Sequence, residues 1–406
     1  MPQQSDTNRW LPLAGATMLN LALGTFYGWS VFVLPLEQEF NWVRQDTSWT
    51  FSVGMVSFAV TFVLAGRLHA TWGFRPIAAF GGLLFSVGFL LASLTSSLGW
   101  LYFTYGVLGG VGNGFGYSVG IPVISRWFPD KRGLALGIAI GGYGAGSGIF
   151  GPLAAALIPS IGWEATFQLY GVLFLVMTMT GAYLLKSAPD GYAPEGWEPT
   201  QLKAAVTTTA REITPGEMVR GSTFYLLWAA YFFGSMAGLG LISQLVPFGT
   251  QVGIGSSVAL IGLVIGSIGN TSGRILSGLL SDQIGRLNVL RLMVLVSAVA
   301  MPLLYLLGST VLTFAVGIFV VYYCYGTLLA VFPATSADFF GTRHLGVNYG
   351  LLFLAWGAGA LVAAPLAGLA FDTFGDYRLA FFGASMLSLV ALGALMVAKN
   401  PRQATA

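Results

Sequence analysis

Apolar stretches of about 20 residues recur along almost the whole chain, and they restrict its possible folds more than any other feature. Each is long enough, at 1.5 Å per helical residue, to cross a hydrocarbon layer about 30 Å thick. Only 8% of the residues are charged, against about a quarter in soluble proteins. The sequence therefore predicts an all-α membrane protein, and not a soluble enzyme. We place twelve spans, at residues 11–36, 46–69, 76–96, 100–125, 134–158, 165–186, 222–249, 255–280, 289–308, 310–332, 347–371 and 378–398.

One long break divides these spans into six and six. Residues 187–221 contain four prolines among Glu, Lys and Thr, a composition that cannot build a core. We expect a six-helix bundle at 1–186, a cytoplasmic linker at 187–221 and a second six-helix bundle at 222–406. Within the linker, Thr214 and Glu217 fit a capping box, which predicts a short helix at the membrane surface.

The two halves also repeat each other. Residues about 212 positions apart match, as in Pro35 with Pro247, Gly66 with Gly278, Gly73 with Gly285 and Phe128 with Phe340. One class of transporter is built from such parallel six-helix repeats, with its binding site near the bilayer midplane between the halves. The repeat therefore predicts two bundles related by a pseudo-twofold axis.

Basic residues orient the spans, because Arg and Lys accumulate in cytoplasmic loops. Only Arg44 and Arg378 fall on the side opposite the N-terminus, and Arg274 falls inside a span. We expect both termini in the cytoplasm, an uncleaved first span, and a location in the plasma (inner) membrane. The basic residues on the N-terminal side are Arg9, Arg67, Arg75, Arg126, Lys131, Arg132, Lys186, Lys203, Arg211, Arg220, Arg286, Arg291, Arg343, Lys399 and Arg402.

The loop after the eighth span carries a recognisable motif. From Gly278 to Arg286 it reads G-L-L-S-D-Q-I-G-R, which resembles the G-x-L-x-D-x-x-G-R signature of the major facilitator superfamily. The matching loop of the first half has Ala70 where the acid belongs. The resemblance implies a gating role for Gly278, Asp282 and Arg286.

A narrower match follows the fourth span. The segment from Arg126 to Ala135 reads R-W-F-P-D-K-R-G-L-A and resembles the corresponding loop of the oxalate:formate antiporter and monocarboxylate transporter families. An ordinary positive-inside loop explains the charges of this segment but not its Trp-Phe-Pro order. We assign Arg126 and Arg132 to gating.

Arg274 is the strongest candidate for a binding residue. All fifteen acids fall in loops, tails or span edges, so it has no acidic partner at its depth. Burying this charge costs at least about 2.5–3.5 kcal/mol. A substrate carboxylate is a suitable partner, since the guanidinium can bind it with two parallel hydrogen bonds. The arginine also matches the substrate-binding arginine of both resembling families. The alternative is that Arg274 reaches the surface or binds carbonyls of a neighbouring helix.

Several polar and aromatic residues are further candidates. Asn113 and Tyr117 are four residues apart and share a helix face, and Asn113 pairs with Tyr325 under the repeat offset. For any one of the aromatic residues, simple packing is the alternative. Four more candidates occupy spans that line the cavity in the resembling families: Tyr27, Asn270, Phe353 and Trp356.

Two departures from those families bear on substrate and coupling. The oxalate carrier has a lysine where this chain has Trp356, and the missing cation argues against a dicarboxylate. The animal monocarboxylate carriers have an aspartate where this chain has Asn270, which argues against their proton relay. No Asp, Glu or His lies well inside a predicted span. The nearest acids, Glu37 and Asp46, are expected to be solvated, and both histidines are expected in cytoplasmic loops.

We therefore predict a secondary transporter of small monocarboxylates such as lactate or pyruvate. Its partners are the small organic anion, a proton and the lipid bilayer, with no nucleic acid, cofactor or metal. The expected mode is symport in which the substrate itself carries the proton. No G-x-x-x-x-G-K-[ST] motif occurs, so a solute gradient supplies the energy. Three alternatives stay open: an oxalate:formate-type organic anion exchanger, a uniporter of the anion, and an anion-sensing membrane protein.

Overall fold

In a computed structural model, residues 8–128, 132–189, 192, 194, 212–254, 256–341 and 344–401 are described, without the side chains of 70, 132–134 and 256–259. This part of the chain is helical and contains no strand. The helices are α1 (Trp10–Leu23), α2 (Ser30–Phe40), α3 (Arg44–Trp72), α4 (Phe74–Ala92), α5 (Leu98–Leu101), α6 (Gly109–Trp127), α7 (Arg132–Leu184), α8 (Pro215–Met218), α9 (Ser222–Gln251), α10 (Ser256–Ile284), α11 (Arg286–Leu307), α12 (Val311–Phe340), α13 (Leu345–Phe374) and α14 (Arg378–Val397).

The number of membrane-crossing segments agrees with the prediction. Among the described residues, nine helices are long and apolar enough to cross a membrane, and α1 with α2 forms a tenth, bent by 45°. Helix α7 is one of the nine but has 53 residues and a non-helical φ of 81° at Gly162, between the fifth and sixth predicted spans. Helix α10 is not among the nine, yet its 29 residues are enough to cross. Counting α7 as two spans and α10 as one gives twelve, and the all-α membrane fold is confirmed.

Two of the membrane spans contain irregular turns that the sequence did not predict. A 3-10 turn, Gly24–Gly28, joins α1 to α2, and a π-helical turn, Tyr102–Leu108, joins α5 to α6. The two turns pack together, since the rings of Phe26 and Tyr105 stack with their centroids 4.6 Å apart. A 3-10 stretch within a helix often marks a hinge, and π-helical turns are frequent at functional sites.

Contacts between the spans before and after the linker run mainly along two helix pairs. Helix α3 packs along α13, and α7 packs along α10. Within the first six spans α1 packs along α7, and within the last six α10 packs along α12. Residues on α7 and α10 therefore face each other where the two sets of spans meet.

The linker ends as the capping box predicts. The backbone N–H of Thr214 donates to Glu217 Oε2 at 2.9 Å, and that of Glu217 donates to Thr214 Oγ1 at 3.3 Å. The short helix that follows, α8, has four residues. Just before it, Ile213 donates its N–H to the carbonyl of Phe340 at 3.0 Å and accepts from Asn348 Nδ2 at 3.0 Å. These bonds fix the end of the linker against α12 and α13.

Candidate functional site

Arg274 lies in the body of α10, ten residues or about 15 Å before its end at Ile284. Only 6% of its surface is exposed. Its Nε donates to Oδ1 of Asn270, one turn earlier, at 2.9 Å, and its Nη1 donates to the carbonyl of Ile140 on α7 at 3.3 Å. A guanidinium has five N–H donors, and the hydroxyls of Tyr27 and Tyr117 also lie close enough to interact with it. Among the described residues no acidic side chain forms an ion pair with it.

Four tyrosines surround this guanidinium, close enough to interact with it electrostatically: Tyr27, Tyr117, Tyr143 and Tyr325. The Tyr143 ring lies beneath the charge, with Arg274 Cζ 5.8 Å from the ring centroid. The hydroxyls of Tyr27 and Tyr325 are 2.8 Å apart, which joins the first span to α12. Tyr325 also accepts a hydrogen bond from Trp356 Nε1 at 2.8 Å. The buried cation is thus enclosed by neutral hydroxyl groups from both halves of the chain.

Aromatic rings form an apolar wall beside the tyrosines. Phe353 stacks on Trp356 of the same helix, with centroids 4.7 Å apart. Phe58 of α3 lies against both, at 5.7 and 5.3 Å, and against Tyr117 at 5.4 Å. The apolar wall therefore consists of rings from α3 and α13 and lies against Tyr117 of α6.

Asn270 Nδ2 is a buried polar atom of the site that makes no hydrogen bond to any described residue, whereas the Asn113 and Tyr143 side chains interact with each other. Buried polar atoms normally have partners, and each one left unmatched costs free energy. A small polar molecule in this site could supply the missing bond.

The structure thus brings together all eight predicted binding residues, which are all buried. It adds Tyr143 and Phe58, which sequence reasoning missed. Tyr143 lies in the glycine-rich stretch 141–148, and such stretches are typical of close helix packing. The residues predicted to bind substrate are Arg274, Asn270, Asn113, Tyr117, Tyr325, Tyr27, Phe353 and Trp356.

The predicted gating residues lie at helix ends. Arg286 pairs with Asp282 at 2.5 Å and with Asp338 at 3.1 Å, which links the start of α11 to the ends of α10 and α12. A Cβ added at Gly278 would meet nothing within 4 Å, so packing does not require glycine there. Arg126 is exposed, with its guanidinium 5.8 Å from the Phe74 ring. The side chain of Arg132 lies outside the described residues.

One of the two histidines was misplaced by the sequence prediction. His69 belongs to the last turn of α3, with Nε2 3.0 Å from Ser118 Oγ, and not to a loop. Helix α3 is longer than expected because it continues to Trp72, where Gly73 with a φ of 76° ends it. His344 precedes α13 in a loop, as expected.

A second polar cluster, the Arg44 network, lies at the side away from the termini. Arg44 donates to Glu37 through Nε at 2.5 Å and through Nη2 at 2.8 Å. The expectation that Glu37 is solvated is wrong, since its side chain is only 14% exposed and is held in this pair. Arg44 Nη1 also donates to the Tyr377 hydroxyl at 2.5 Å, and that hydroxyl donates to Gln244 Oε1 at 2.9 Å.

Two further contacts extend the Arg44 network across the two sets of spans. Gln244 Nε2 on α9 donates to Ser48 Oγ on α3 at 2.8 Å. The Asp372 carboxylate on α13 accepts the backbone N–H groups of Arg44 and Gln45 at 3.2 and 2.7 Å. A carboxylate at a helix N-terminus is stabilising because of the exposed N–H groups there. The network therefore holds α3 against α9 and α13 and closes this side.

Tyr377→Phe is expected to open this closed side more often, since it removes one hydroxyl that bridges Arg44 and Gln244. A hydrogen bond to a charged group contributes about 1.5–3 kcal/mol, so the open population should rise by about tenfold or more. Spin labels at Val43 and Phe374, in a Cys324→Ala background, would report the opening as a longer distance. Tyr225→Phe, on an exposed ring, is the control. An unchanged distance distribution in Tyr377→Phe would show that the network does not control opening.

Comparison with known proteins places the chain in a broad group of membrane proteins. The family model described as Major Facilitator Superfamily matches residues 14–321 and 268–406. The chain is 28% identical to the oxalate:formate antiporter of Oxalobacter formigenes, over 95% of this chain and 90% of that protein. It is 25% identical to monocarboxylate transporter 11 of Homo sapiens, over 97% and 83%. A crystal structure of a bacterial homolog to the human lysosomal transporter Spinster, inward-facing and occupied, aligns with a TM-score of 0.70 at 16% identity, over 98% and 97%.

Proposed function

The chain belongs to the major facilitator superfamily, and on that premise we propose that it is a secondary transporter of small monocarboxylates that works by alternating access. The observation that carries the proposal is Arg274, a buried cation without an acidic partner among the described residues. The substrate carboxylate takes up its free N–H groups, and the apolar wall of Phe58, Phe353 and Trp356 accommodates a short carbon chain. Relatives named for oxalate, formate and monocarboxylates support an organic anion as substrate.

Alternating access assigns separate roles to the polar clusters. The Arg44 network closes one side of the membrane, and Arg286 with Asp282 and Asp338 acts at the other side. Gly278, Arg126 and Arg132 belong to the same gating region in this proposal. The bundles 1–186 and 222–406 rock against each other, joined by 187–221. The charge distribution supports cytoplasmic termini in the plasma (inner) membrane.

The proton, in this proposal, travels with the substrate. No acid pairs with Arg274 among the described residues, and Glu37, the nearest rival carrier, is engaged by Arg44. An arginine neighbour lowers the pKa of a carboxylate, so the substrate picks up its proton as the site opens and the pairing loosens.

Uptake of labelled lactate, formate and oxalate into proteoliposomes, with and without a pH gradient, tests this function. We expect saturable lactate uptake that an inward proton gradient accelerates. Absence of saturable uptake of all three anions would contradict it. Uptake that requires a second anion inside would instead favour the exchange mode suggested by the likeness to the oxalate:formate antiporter.

Arg274, the single cation of the site among the described residues, is expected to set the valence of the substrate. Trp356 is buried and donates to the Tyr325 hydroxyl, and Trp356→Lys would place an ammonium at that point. The second cation should raise the affinity for oxalate relative to lactate, since opposite charges attract strongly in a poorly solvated site. Competition binding measures the ratio, with Trp356→Met as the uncharged control. A folded Trp356→Lys protein with the wild-type ratio would count against this assignment.

A further inference from the structure

We infer that a crevice between α13 and α14 binds one acyl chain of a membrane phospholipid, and that the bound chain favours the closed form of the Arg44 network. This space, called the α13–α14 crevice below, has a volume of about 460 Å³. The rest of its lining comes from α9 and α11, including Leu241 and Met301. The crevice shares no lining residue with the site around Arg274, so a chain bound there is independent of the anion that is transported.

The packing of the last two spans explains why this space exists. Helix α13 packs along α3 and α9, whereas α14 packs along α9 and α11. The two spans follow each other in sequence but touch each other little. The residues on the facing sides of the two helices are small, among them Ala363, Ala367 and Ala370 on α13 and Gly383 and Ala384 on α14. Such short side chains do not fill the gap, and a crevice remains.

The lining of the crevice is uncharged and mostly apolar. Among the described residues around it, only Gln244, Thr373 and Tyr377 have a side-chain nitrogen or oxygen. Gln244 and Tyr377 already use these atoms, since the Tyr377 hydroxyl donates to Gln244 Oε1 and Gln244 Nε2 donates to Ser48. An apolar cavity of about 150 Å³ stays free of water and binds benzene. A crevice about three times as large therefore suits a hydrocarbon chain better than water or a charged ligand.

The crevice is continuous with the surface that faces the bilayer, which identifies its occupant. Leu366 and Leu369 of α13 and Leu379 of α14 line the crevice and are exposed on the outside of the spans. In a membrane protein such side chains contact lipid tails, which are as apolar as leucine. The crevice also reaches Phe374, at the end of α13 on the side away from the termini. A phospholipid of that leaflet can insert one chain, while its head group stays outside the uncharged lining.

Two residues of the Arg44 network form part of the crevice wall. Tyr377 and Gln244 line the crevice, and through Arg44 and Ser48 they hold α3. The Tyr377 ring stacks on Phe371, with centroids 5.1 Å apart, and Arg44 Cζ lies 4.6 Å from the centroid of the Phe371 ring. A chain in the crevice packs against Tyr377 and Gln244 and adds dispersion contacts that an empty crevice lacks. The bound chain therefore stabilises these two side chains where they close this side of the protein.

The size of the effect follows from linkage. A ligand shifts an equilibrium between two forms only by the difference in its affinity for them. The wall made by Tyr377 and Gln244 is in place when the Arg44 network is formed, so the chain binds the closed form. With no binding to the open form, phospholipid at ten times its dissociation constant lowers the ratio of open to closed protein by about tenfold.

Gly383→Phe tests the binding of the chain. Gly383 lines the crevice, and a Cβ there would meet nothing within 4 Å, so the new ring has room to occupy the space. Gly393→Phe is the matched control, because Gly393 lies on the same helix with an equally open Cβ position but outside the crevice. Purified full-length protein in detergent would be photolabelled with increasing amounts of a phosphatidylcholine that carries a diazirine in one acyl chain. Mass spectrometry would locate the labelled residues.

We expect saturable labelling within residues 363–387 of the wild-type and Gly393→Phe proteins, with competition by unlabelled phosphatidylcholine. Gly383→Phe should lose it. Labelling of the wild-type protein that rises in proportion to the lipid, or saturable labelling that persists in folded Gly383→Phe, would overturn the site. If Gly383→Phe does not fold, the saturation of the wild-type protein decides alone. Stronger competition by oleate than by phosphatidylcholine would identify a free fatty acid and overturn the phospholipid assignment.

Spin labels test the effect on the Arg44 network. Leu94, after α4, and Leu312, on α12, are exposed on the side away from the termini, and both would be labelled in a Cys324→Ala background. In lipid-free detergent the distance distribution should contain a longer, open component. Phosphatidylcholine at ten times its dissociation constant should reduce this component by about tenfold in the wild-type protein and leave it unchanged in Gly383→Phe.

A distribution that does not respond to phosphatidylcholine in the wild-type protein would overturn the link between the crevice and the Arg44 network. No transported anion is present in either experiment. Failure of the lipid site therefore leaves the proposed function standing, and failure of anion uptake leaves the lipid site standing.

Discussion

Arg274→Lys is expected to lower monocarboxylate transport by at least about a hundredfold, even though the charge is kept. Truncating one partner of a buried, hydrogen-bonded charge pair typically costs about 2–5 kcal/mol, and the loss of the guanidinium hydrogen bonds is expected to fall in this range. A lysine ammonium cannot form the two parallel hydrogen bonds of a guanidinium, nor keep the contacts to Asn270 and Ile140 while it binds a carboxylate. Initial rates of lactate uptake in proteoliposomes would measure the loss.

Arg67→Lys is the matched control, because Arg67 is exposed on α3 and an exposed ammonium replaces its charge without loss. Both variants must reconstitute in equal amounts and elute as a single species before the rates are compared. Near-wild-type uptake by Arg274→Lys would refute the assignment of Arg274 as the carboxylate-binding residue.

Gly24→Ala is expected to destabilise the fold strongly. Gly24 lies in the 3-10 turn where the first span bends, and a Cβ there would overlap the Tyr143 carbonyl oxygen and lie 2.7 Å from its carbonyl carbon. Both obstacles are backbone atoms, so no side chain can move aside. Overpacking of this kind costs about 1–3 kcal/mol or more, and we expect a clearly lower Tm in detergent together with a displaced Tyr143.

Gly393→Ala provides the comparison. Gly393 is exposed on α14, and a Cβ there would meet nothing within 4 Å. Alanine has the higher helix propensity, so this change should leave Tm unchanged or raise it. Equal Tm values for the two variants would show that the first span does not approach α7 as closely as the structure indicates.

Much of the fold could be predicted from the sequence because the bilayer imposes a simple rule on span length and polarity. The twelve spans and the capping box before α8 come from local patterns of this sort. The bend at Gly24–Gly28 and the π-helical turn Tyr102–Leu108 could not be predicted, since both depend on packing between spans. The break between the fifth and sixth spans was predicted between residues 158 and 165, and the structure places it at Gly162, with a φ of 81°.

Some residues of the candidate site could likewise be predicted from the sequence, and others could not. Arg274 could be found because a membrane arginine is costly, and Asn270 lies one helical turn from it. Tyr143 lies among glycines, and no pattern in the sequence marked it as a binding residue. The face of α7 that it occupies depends on the neighbouring helices. Glu37 was expected to be solvated because the sequence does not show which residues surround it. Its partner Arg44 is held by Tyr377, which is 333 residues from Arg44 in sequence.

The most direct test of the central claim compares lactate with lactamide, its uncharged amide, for binding to the wild-type protein in nanodiscs. The two molecules have nearly the same shape and share the hydroxyl, but only lactate offers a carboxylate to Arg274. We predict saturable binding of lactate, no detectable binding of lactamide, and loss of lactate binding in Arg274→Lys. Equal binding of the two molecules, or lactate binding that survives in Arg274→Lys, would contradict the claim that this site is built around a carboxylate.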